Sequence, residues 1–487
     1  MFMDPEARAR RQSRRVIISE IIMVCSVVLM VIILAFLVSG YWVNSDFKVE
    51  RQGMLQISSY PTGANVEVDG DAPWFQRTNT SKVLSSGEHT IKLTKDGYDT
   101  WSRTINIREG LLYRIHYPRL FLTDRTKSSV YDLSGATFAT VSPAHDKMLI
   151  VSPSATWQLV NLEGDQLTSK PIDVTGVLSS ASGQAFTGTI LSASWDSNNE
   201  HILLKVQAGG QIEWILLNVN NPTTSLNLTR QFTTDFSEVK IFDNSASVLL
   251  AVRGGNLHKI DVSSRQISAI LVKNVHSYDY LGSEIVYSAL RAVDNILDVA
   301  DDANTTVATD DATTEESTTA VYEIGILKIS NAEPKIVTTA TNPTKVVISR
   351  FYDDKYLTLL SENNVTVYEA DNFSEFLNRN ISFAPQTIKT GRDGGFIFMT
   401  NGTAIASLDM EAEDISEWTI DSPNFGWLDS GMLYAIKDGT LVVYDFDGLN
   451  RRTLANNVSS KFPVAITDNK WLYYVDDGAL IREIIAQ

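Results

Sequence analysis

Pairs of short apolar strands joined by tight polar turns recur through the C-terminal two thirds of this 487-residue chain. Four successive turns are centred on Asn363, Gly402, Gly439 and Gly478, which gives spacings of 39, 37 and 39 residues. Self-similarity at a fixed period of 20–50 residues is the signature of a repeat architecture. The regular spacing of the turns therefore predicts an array of small, similar β units in this part of the chain.

Eight such hairpins can be found when the same pattern is followed upstream. A unit of about forty residues with four short strands is typical of a β-propeller blade, so we predict a propeller over residues 128–487. Eight blades is the first expectation, seven the alternative, and a stacked solenoid the less favoured repeat architecture. The predicted hairpins pair Met148–Val151 with Trp157–Leu162, Ile202–Val206 with Trp214–Val219, Val248–Val252 with Leu257–Val262, Glu284–Ser288 with Val321–Ile329, Tyr356–Leu360 with Val365–Tyr368, Phe396–Met399 with Ala404–Leu408, Met432–Ile436 with Leu441–Phe446, and Trp471–Val475 with Ala479–Ile485.

The strand that precedes each hairpin is expected to be the innermost of its blade. The clearest examples are Ser192–Trp195, Val239–Phe242, Val346–Ser349, Gly426–Leu428 and Val464–Thr467. The last repeat stops at Ile485 without an outer strand, and an open ring would leave unpaired strand edges. Either Val130–Leu133 or Leu120–Leu122 can supply the missing strand and close the ring.

An acidic, threonine-rich stretch at 292–320 interrupts the repeat in the turn of one hairpin. It contains eight acidic residues, seven threonines and no lysine or arginine. Such a composition buries too little apolar surface to offset the entropy of ordering. We therefore predict a disordered blade loop.

Two loops resemble those of a known propeller class. They read Ser142-Pro143-Ala-His-Asp146-Lys and Trp195-Asp196-Ser-Asn-Asn-Glu, and both are similar to the loops of WD40-like, TolB-type repeats. The resemblance in any one blade is loose, so the periodicity carries the fold prediction.

The N-terminal region predicts a membrane anchor. A basic tail at 1–15 precedes a predicted transmembrane signal anchor at 16–43, whose apolar run from Val16 to Val38 is long enough to cross a bilayer. The run is too long for a typical cleaved signal peptide, and bulky Val24 before Cys25 disfavours a lipoprotein site. By the positive-inside rule the N-terminus is cytoplasmic and the later domains lie outside the cell membrane. The residues behind this orientation are Arg8, Arg10, Arg11, Arg14 and Arg15 in the tail and the aromatic pair Tyr41 and Trp42 at the far interface.

Residues 50–120 predict a small β domain with period-two alternation and turn signals such as Asp69-Gly70. Ser58-Ser-Tyr-Pro61-Thr-Gly63-Ala64-Asn-Val66-Glu-Val68-Asp69-Gly70, followed by Gly87-Glu-His and Lys95-Asp-Gly97-Tyr98, resembles a PEGA domain. The resemblance implies a small β-sandwich of prokaryotic envelope proteins with a binding or spacer role. Thr62 stands where the namesake motif has glutamate. The motif positions are Pro61, Thr62, Gly63, Ala64, Val66, Val68, Asp69, Gly70, Gly87, Gly97 and Tyr98.

Four aromatic residues of this predicted domain, Trp74, Phe75, Tyr98 and Trp101, allow two interpretations. They could form a sugar-stacking platform, but packing in the small core is the favoured expectation for most of them.

Charge and residue spacing limit the partners and the chemistry. The net charge of −17 disfavours nucleic acid, which needs clustered lysine and arginine. One cysteine allows no intramolecular disulfide, and the six histidines lack metal-ligand spacing. Asp445-Phe-Asp447-Gly448-Leu-Asn450 resembles a calcium loop but lacks its late glutamate. We expect no catalytic residue, no cofactor and no bound metal.

The sequence therefore predicts a mostly β, single-pass envelope protein that binds or scaffolds a protein, a peptide or a cell-wall glycan without catalysis. One rival hypothesis is a propeller hydrolase, in which Asp196, Asp243, Asp353 and Asp429 ring one mouth of the channel. Turn formation is the ordinary explanation for those aspartates. A second rival is a sensor or assembly factor that acts through a membrane partner.

Overall fold

The computed structural model describes residues 5–38, 41–43, 49–72, 76–154, 156–164, 166–178, 188–242, 246–291, 320–391 and 393–487. The chain divides into two compact units, Met1–Thr123 and Asp124–Gln487. The predicted loop at 292–320 lies outside the described residues except for Ala320. Asp243, Trp74 and Phe75 lie outside them as well.

One long helix, α1 (Pro5–Val38), begins the chain. Its segment Ile18–Ala35 has a mean hydropathy of 2.8, and none of that segment is buried against the protein. This is the one helix among the described residues that is long and apolar enough to cross a membrane. The predicted anchor at 16–43 differs at its end, because the helix stops at Val38 and Tyr41–Val43 form a strand that pairs antiparallel with Val49–Arg51.

The rest of the first unit is a sandwich of two β-sheets. One sheet has β1 (Tyr41–Val43), β2 (Val49–Ile57) and β4 (Thr80–Ser85) in that order, with β7 (Leu112–Ile115) parallel to β2. The other sheet has the order β3 (Asn65–Val68), β5 (Gly87–Thr94) and β6 (Trp101–Ile107). The predicted PEGA-like β-sandwich is confirmed.

The core of this sandwich comes from the alternate residues that the sequence pattern indicated. Strand β5 buries every second side chain, because successive residues of a strand point to opposite faces. The buried apolar residues on the strands of both sheets are Leu55, Ile57, Val66, Val68, Leu84, Ile91, Leu93, Trp101, Ile105, Ile107 and Ile115.

The second unit contains eight four-stranded antiparallel sheets within the described residues, numbered here sheet 1 to sheet 8. Three short helices, α2 (Thr175–Leu178), a 3₁₀ turn (Pro222–Thr224) and α3 (Leu228–Phe232), lie between strands. The strands are, for sheet 1, β9 (Phe138–Val141), β10 (Lys147–Val151), β11 (Thr156–Asn161) and β12 (Thr168–Asp173); for sheet 2, β13 (Thr189–Trp195), β14 (His201–Ala208), β15 (Gln211–Asn218) and β16 (Leu226–Asn227); for sheet 3, β17 (Glu238–Ile241), β18 (Val248–Arg253), β19 (Asn256–Asp261) and β20 (Gln266–Ile267); for sheet 4, β21 (Val275–Leu281), β22 (Glu284–Arg291), β23 (Val321–Lys328) and β24 (Asn331–Ala340); for sheet 5, β25 (Thr344–Phe351), β26 (Asp354–Ser361), β27 (Asn364–Glu369) and β28 (Glu375–Asn380); for sheet 6, β29 (Thr387–Thr390), β30 (Phe396–Thr400), β31 (Ala404–Asp409) and β32 (Asp414–Thr419); for sheet 7, β33 (Phe425–Asp429), β34 (Met432–Lys437), β35 (Thr440–Asp445) and β36 (Arg452–Ala455); and for sheet 8, β37 (Ala465–Thr467), β38 (Trp471–Asp476), β39 (Ala479–Ile484) and β8 (Lys127–Asp132).

Each predicted hairpin forms the middle pair of one sheet. The turn residues favour these hairpins. Asp438-Gly439 and Asp477-Gly478 each place two successive residues at positive φ. That backbone matches the right-handed twist of the flanking strands. Glycine adopts it without a steric penalty, and aspartate tolerates it better than most residues.

Neighbouring sheets are joined by hydrogen bonds all the way round, which makes the unit a β-propeller. Sheet 8 returns to sheet 1, because the Thr467 hydroxyl donates to the carbonyl of His145 at 2.7 Å and the Tyr473 hydroxyl donates to the carbonyl of Leu162 at 2.8 Å. The first strands of consecutive sheets, among them β21, β25 and β29, contact one another and line the centre of the ring. Apolar clusters fill the space between adjacent sheets, as between sheets 1 and 2 and between sheets 5 and 6.

The ring is closed by a strand from the start of the unit. Strand β8 pairs antiparallel with β39 from Lys127↔Glu483 to Asp132↔Ala479. Of the two predicted closing segments, the one at 130–133 is the closer match, since β8 spans 127–132. Leu120 instead belongs to the core of the first unit. The first strand of the second unit, β8, therefore belongs to the same sheet as its last strand, β39.

The acidic insertion occupies the turn of sheet 4, as predicted, since Arg291 of β22 pairs with Val321 of β23 on either side of it. The prediction that the insertion is disordered falls on residues outside the described part. The blade count of eight, with seven as the alternative, stays a prediction that an image of the ring at strand resolution would test.

Candidate functional site

The PEGA-like motif residues form turns and core rather than a cavity. Pro61 follows a cis peptide bond, and Gly63 has a φ of 78°. Ala64 is buried, and its N–H donates to the Thr78 hydroxyl at 3.0 Å. Thr62 is exposed, and its carbonyl accepts from Lys95 at 2.7 Å. A solvent-facing second turn position explains why the glutamate of the motif can be replaced there.

The remaining motif positions are also structural. Val66 and Val68 are in the core, while Gly70, Gly87 and Gly97 have positive φ at turns. Tyr98 is half-buried, and its backbone pairs with Leu122. Trp101 is completely buried, so it cannot stack on a ligand.

Three residues of the first unit resemble a nucleophile triad, although sequence spacing does not bring them together. His89 Nδ1 lies 2.6 Å from Asp69 Oδ2, and His89 Nε2 lies 3.4 Å from Ser85 Oγ. However, Nε2 is only 2.8 Å from the Ser85 carbonyl oxygen, which requires an N–H at that nitrogen. A nitrogen that donates in this way cannot accept the serine proton, so the arrangement ties two turns together and lacks a general base. The histidine bond also lowers the pKa of Asp69.

The residues that predict orientation lie at the start of the first unit. Arg8, Arg10, Arg11, Arg14 and Arg15 belong to α1, but their side chains are outside the described part. Tyr41 and Trp42 belong to β1, and their side chains are not described either.

Two of the four aspartates that the hydrolase hypothesis places at one mouth serve turns. The Asp196 carboxylate accepts from the backbone N–H groups of Glu200 at 2.8 Å and His201 at 3.0 Å, and it contacts His201 Nδ1 at 2.9 Å. Asp429 accepts from the Gly431 N–H at 3.1 Å. Asp353 lies in the turn between β25 and β26. Among the described aspartates, Asp196 and Asp429 therefore make the contacts of turn formation.

The calcium-like segment is likewise held by its own turn. Asn450 Nδ2 donates to Asp445 Oδ2 at 2.8 Å, and the Leu449 N–H donates to Asp447 at 3.1 Å. Within the described ranges no group of three or more histidine, cysteine or acidic side chains is placed to hold a metal ion.

Described residues of the propeller form a cavity of about 700 Å³ at the C-terminal ends of inner strands, called here the mouth cavity. Its volume lies within the ~300–1,000 Å³ that is usual for ligand pockets. Residues from sheets 1 to 4 line it: Pro143, Trp195, Asp196, Ser197, Ile241, Phe242, Tyr280, Leu281, Gly282 and Ser283.

Three aromatic residues form one wall of the mouth cavity. Trp195 is held by a hydrogen bond from its indole N–H to the Thr140 hydroxyl at 3.1 Å. The rings of Phe242 and Tyr280 pack with their centroids 5.2 Å apart, and the Tyr280 hydroxyl donates to the carbonyl of Ile241. Exposed Ser197 and Ser283 supply hydroxyls at the rim. Fixed aromatic surface beside a few polar groups is the chemistry of a recognition site.

Sequence reasoning did not find this aromatic wall. Only Asp196 of its lining was proposed as a functional residue. The available signal was positional, because Trp195, Phe242 and Tyr280 all stand at or near the end of an inner strand.

Comparison with known proteins supports the small domain directly. Residues 52–118 match the family model of the PEGA domain, so this part of the chain is a PEGA domain. A comparison with curated proteins finds no match.

Several solved structures are similar to the chain in fold. An oligogalacturonate lyase in complex with manganese matches with 12% identity and a TM-score of 0.40, covering 69% of this chain and 97% of its own. The Hsv2p protein of Kluyveromyces lactis matches with 9% identity and a TM-score of 0.41, covering 66% and 98%. The β-propeller domain of Cps50 (Swd1) from Myceliophteria thermophila matches with 10% identity and a TM-score of 0.37, covering 75% and 99%. TM-scores below 0.5 carry no argument about function, and the propeller assignment rests on the strand pairing above.

Proposed function

We propose that this chain is a non-enzymatic binding or scaffold protein of the cell envelope. Helix α1 anchors it in the membrane, and the PEGA domain and the propeller lie outside. The propeller recognises an extended segment of an envelope peptide, protein or cell-wall glycan in the mouth cavity.

The anchored orientation is supported by the N-terminal sequence and by charge. None of the apolar segment of α1 is buried against the protein, as expected of a lipid-facing helix. Five arginines precede it, which favours a cytoplasmic N-terminus. The residues after α1 carry a net charge of −19, which keeps an exterior domain soluble and away from anionic lipid.

The mouth cavity is the observation that carries the binding role. Its aromatic wall is held by packing and hydrogen bonds, so it is preorganised for a ligand. The carboxylate of Asp196, the one carboxylate among the described lining residues, is occupied by turn hydrogen bonds and is not poised for acid or base chemistry. These features favour recognition over the hydrolase alternative.

Filling the mouth cavity should abolish binding without unfolding the propeller. In Ser197→Trp and Ser283→Trp, exposed rim residues become bulky and occupy the cavity. Photo-crosslinking of the full chain in native membranes, followed by analysis of the crosslinked partners or glycan, should lose the wild-type adducts in both variants. Ser264→Trp is the matched control, since Ser264 is an exposed turn residue between β19 and β20 outside the cavity lining. Unchanged adducts in both cavity variants, or equal loss in the control, would contradict a role for the mouth cavity.

A further inference from the structure

A second cavity, of about 480 Å³, lies nearer the N-terminal starts of the inner strands than the mouth cavity does. Inner strands of four successive sheets line it, and three of these strands contribute one lysine each. We call it the lysine cavity. Its lining is Lys240, Ser277, Tyr278, Asp279, Lys345, Val346, Val347 and residues 386–390, which include Lys389.

Two of the lysines donate to a backbone carbonyl of the next sheet. Lys240 Nζ donates to the carbonyl of Tyr278 at 2.7 Å and lies 4.3 Å from the centroid of its ring. Lys345 Nζ donates to the carbonyl of Gln386. A carbonyl accepts a hydrogen bond without cancelling the ammonium charge, so the bond to Gln386 connects two sheets and leaves the positive charge of Lys345 in the cavity.

The third lysine has no such link. Lys389 is exposed on β29, and its side chain makes no hydrogen bond or ion pair with the described residues. Neither Lys345 nor Lys389 has a described carboxylate within 4.0 Å, whereas Lys240 is 3.4 Å from Glu238. Two of the three ammonium groups are therefore uncompensated.

Asp279 is the one carboxylate among the described lining residues, and it offsets the positive charge of the lysines only in part. Asp279 Oδ2 accepts from the Ile348 N–H at 3.1 Å, and Oδ1 lies 4.0 Å from Lys240 Nζ. Burial raises the pKa of Asp279, partly opposed by Lys240. The pKa of nearby His276 is lowered by burial and by the positive charge of Lys345. In a chain whose net charge is −17, this is a locally cationic interior.

Hydroxyl donors complete the lining. Ser277 Oγ accepts from the Val346 N–H at 3.1 Å, which leaves its own proton free to donate. Thr387 and Thr390 add two further hydroxyls from β29. Ammonium and hydroxyl donors in one partly enclosed space are suited to an oxyanion, because charge-assisted hydrogen bonds are stronger than neutral ones.

We propose that the lysine cavity binds an oxyanion, the phosphate or carboxylate group of a ligand that enters the propeller channel. Lys389 and Lys345 supply the uncompensated charge, and Ser277 and the two threonines supply orienting donors. The cavity has room for a group carried on a short chain as well as for a free ion. This site is separate from the mouth cavity and does not depend on the function proposed for it.

Titration calorimetry of the full chain in a nonionic detergent at pH 7 tests the site, with inorganic phosphate and succinate as probes. We expect saturable binding of at least one probe and affinity that falls with added salt. Phosphate binding alone or succinate binding alone identifies the favoured group, and either supports the proposal. Lys389→Gln removes a charge that no described contact uses and should weaken binding roughly tenfold, about 1.4 kcal/mol. Lys461→Gln, an equal charge change at an exposed residue outside the cavity, should change it less than about twofold.

A variant that is expected to strengthen binding distinguishes an effect of charge from damage to the fold. Asp279→Asn keeps an oxygen that can accept from Ile348 but removes the one carboxylate among the described lining residues, so it should tighten binding severalfold. Damage to the cavity would instead weaken it. Ser197→Trp at the mouth cavity should leave the affinity unchanged. The proposal is overturned if neither probe binds the wild-type chain, if Lys461→Gln weakens binding as much as Lys389→Gln, or if Asp279→Asn weakens it.

Discussion

Replacing Glu483 with leucine is expected to lower the free energy of unfolding of the propeller by about 3–5 kcal/mol, because it removes a buried carboxylate and leaves Arg125, whose side chain is only 18% exposed, without it. Glu483 is 6% exposed, and its Oε1 accepts from Arg125 Nε at 2.6 Å. Arg125 also donates to the carbonyl of Leu454 at 2.7 Å, which ties the start of the second unit to its last two sheets. Whole domains are stable by only about 5–15 kcal/mol, so this change removes a large share.

The same carboxylate holds a second partner. The Tyr474 hydroxyl donates to Glu483 Oε2 at 2.9 Å. Burial and this carboxylate together raise the pKa of Tyr474, so the hydroxyl remains a donor at neutral pH. Glu483→Leu therefore also leaves a buried hydroxyl unsatisfied, which adds about 1–3 kcal/mol when no water reaches it.

Guanidinium unfolding of the full chain in detergent measures this effect, with tryptophan fluorescence as the signal. Glu483→Leu should unfold at a clearly lower denaturant concentration. The double variant Arg125→Met/Glu483→Leu should recover much of the loss, because an apolar pair can replace a buried ion pair. Lys127→Gln is the control, since its 3.6 Å contact with Asp476 is solvent-exposed on the lysine side and exposed pairs contribute less than about 1 kcal/mol. A wild-type midpoint for Glu483→Leu would show that this pair does not stabilise the closed ring.

Trp101→Ala should unfold the PEGA domain while the propeller stays folded. Trp101 is fully buried in the core of the sandwich, where its ring meets that of Tyr117 edge-on at 6.1 Å. Truncating a buried aromatic residue lowers stability by about 3–5 kcal/mol. A domain of this size has little stability to lose, because small domains bury a smaller fraction of their surface.

Limited trypsin digestion of the full chain, read by mass spectrometry, separates the two units. Trp101→Ala should be cut between residues 82 and 119 at low protease, while a fragment from about 124 to 487 survives. Val83→Ala is the matched control, because Val83 is 52% exposed on β4 of the same domain, and its digestion should resemble that of the wild type. Simultaneous cleavage of the propeller would contradict independent cores, and a resistant PEGA domain would contradict the role of Trp101.

Local patterning predicted the parts of this fold that depend on neighbouring residues. Period-two alternation and turns such as Asp438-Gly439 were sufficient to place the hairpins, because burial on one face and positive φ are properties of a few consecutive residues. Counting the strands of the last repeat reduced the candidates for the closing strand to two segments. Pairing with β39 then selected 127–132, a contact across some 350 residues that no local pattern encodes.

The candidate sites were harder to predict because they depend on convergence. Three inner strands contribute one lysine each to the lysine cavity, namely Lys240, Lys345 and Lys389. In the sequence each of them resembles an ordinary surface lysine. Only the ring brings them to one cavity. The same holds for His89 and Asp69, which are twenty residues apart in the sequence and meet where β3 and β5 pair in one sheet. Aspartates after inner strands were visible in the sequence, but Asp196 and Asp429 serve the ordinary turn function.

The proposed function depends most on one arrangement, in which α1 anchors the protein in the membrane and the propeller lies on the outer side. Labelling of intact spheroplasts with a membrane-impermeant maleimide tests it, using single-cysteine variants in a Cys25→Ser background. Ser264→Cys, on an exposed propeller turn, should be labelled on intact spheroplasts, and Ser13→Cys in the basic tail only after lysis. The reverse pattern, or release of the labelled propeller from the membrane by cleavage near α1, would contradict an anchored, outward-facing binding protein.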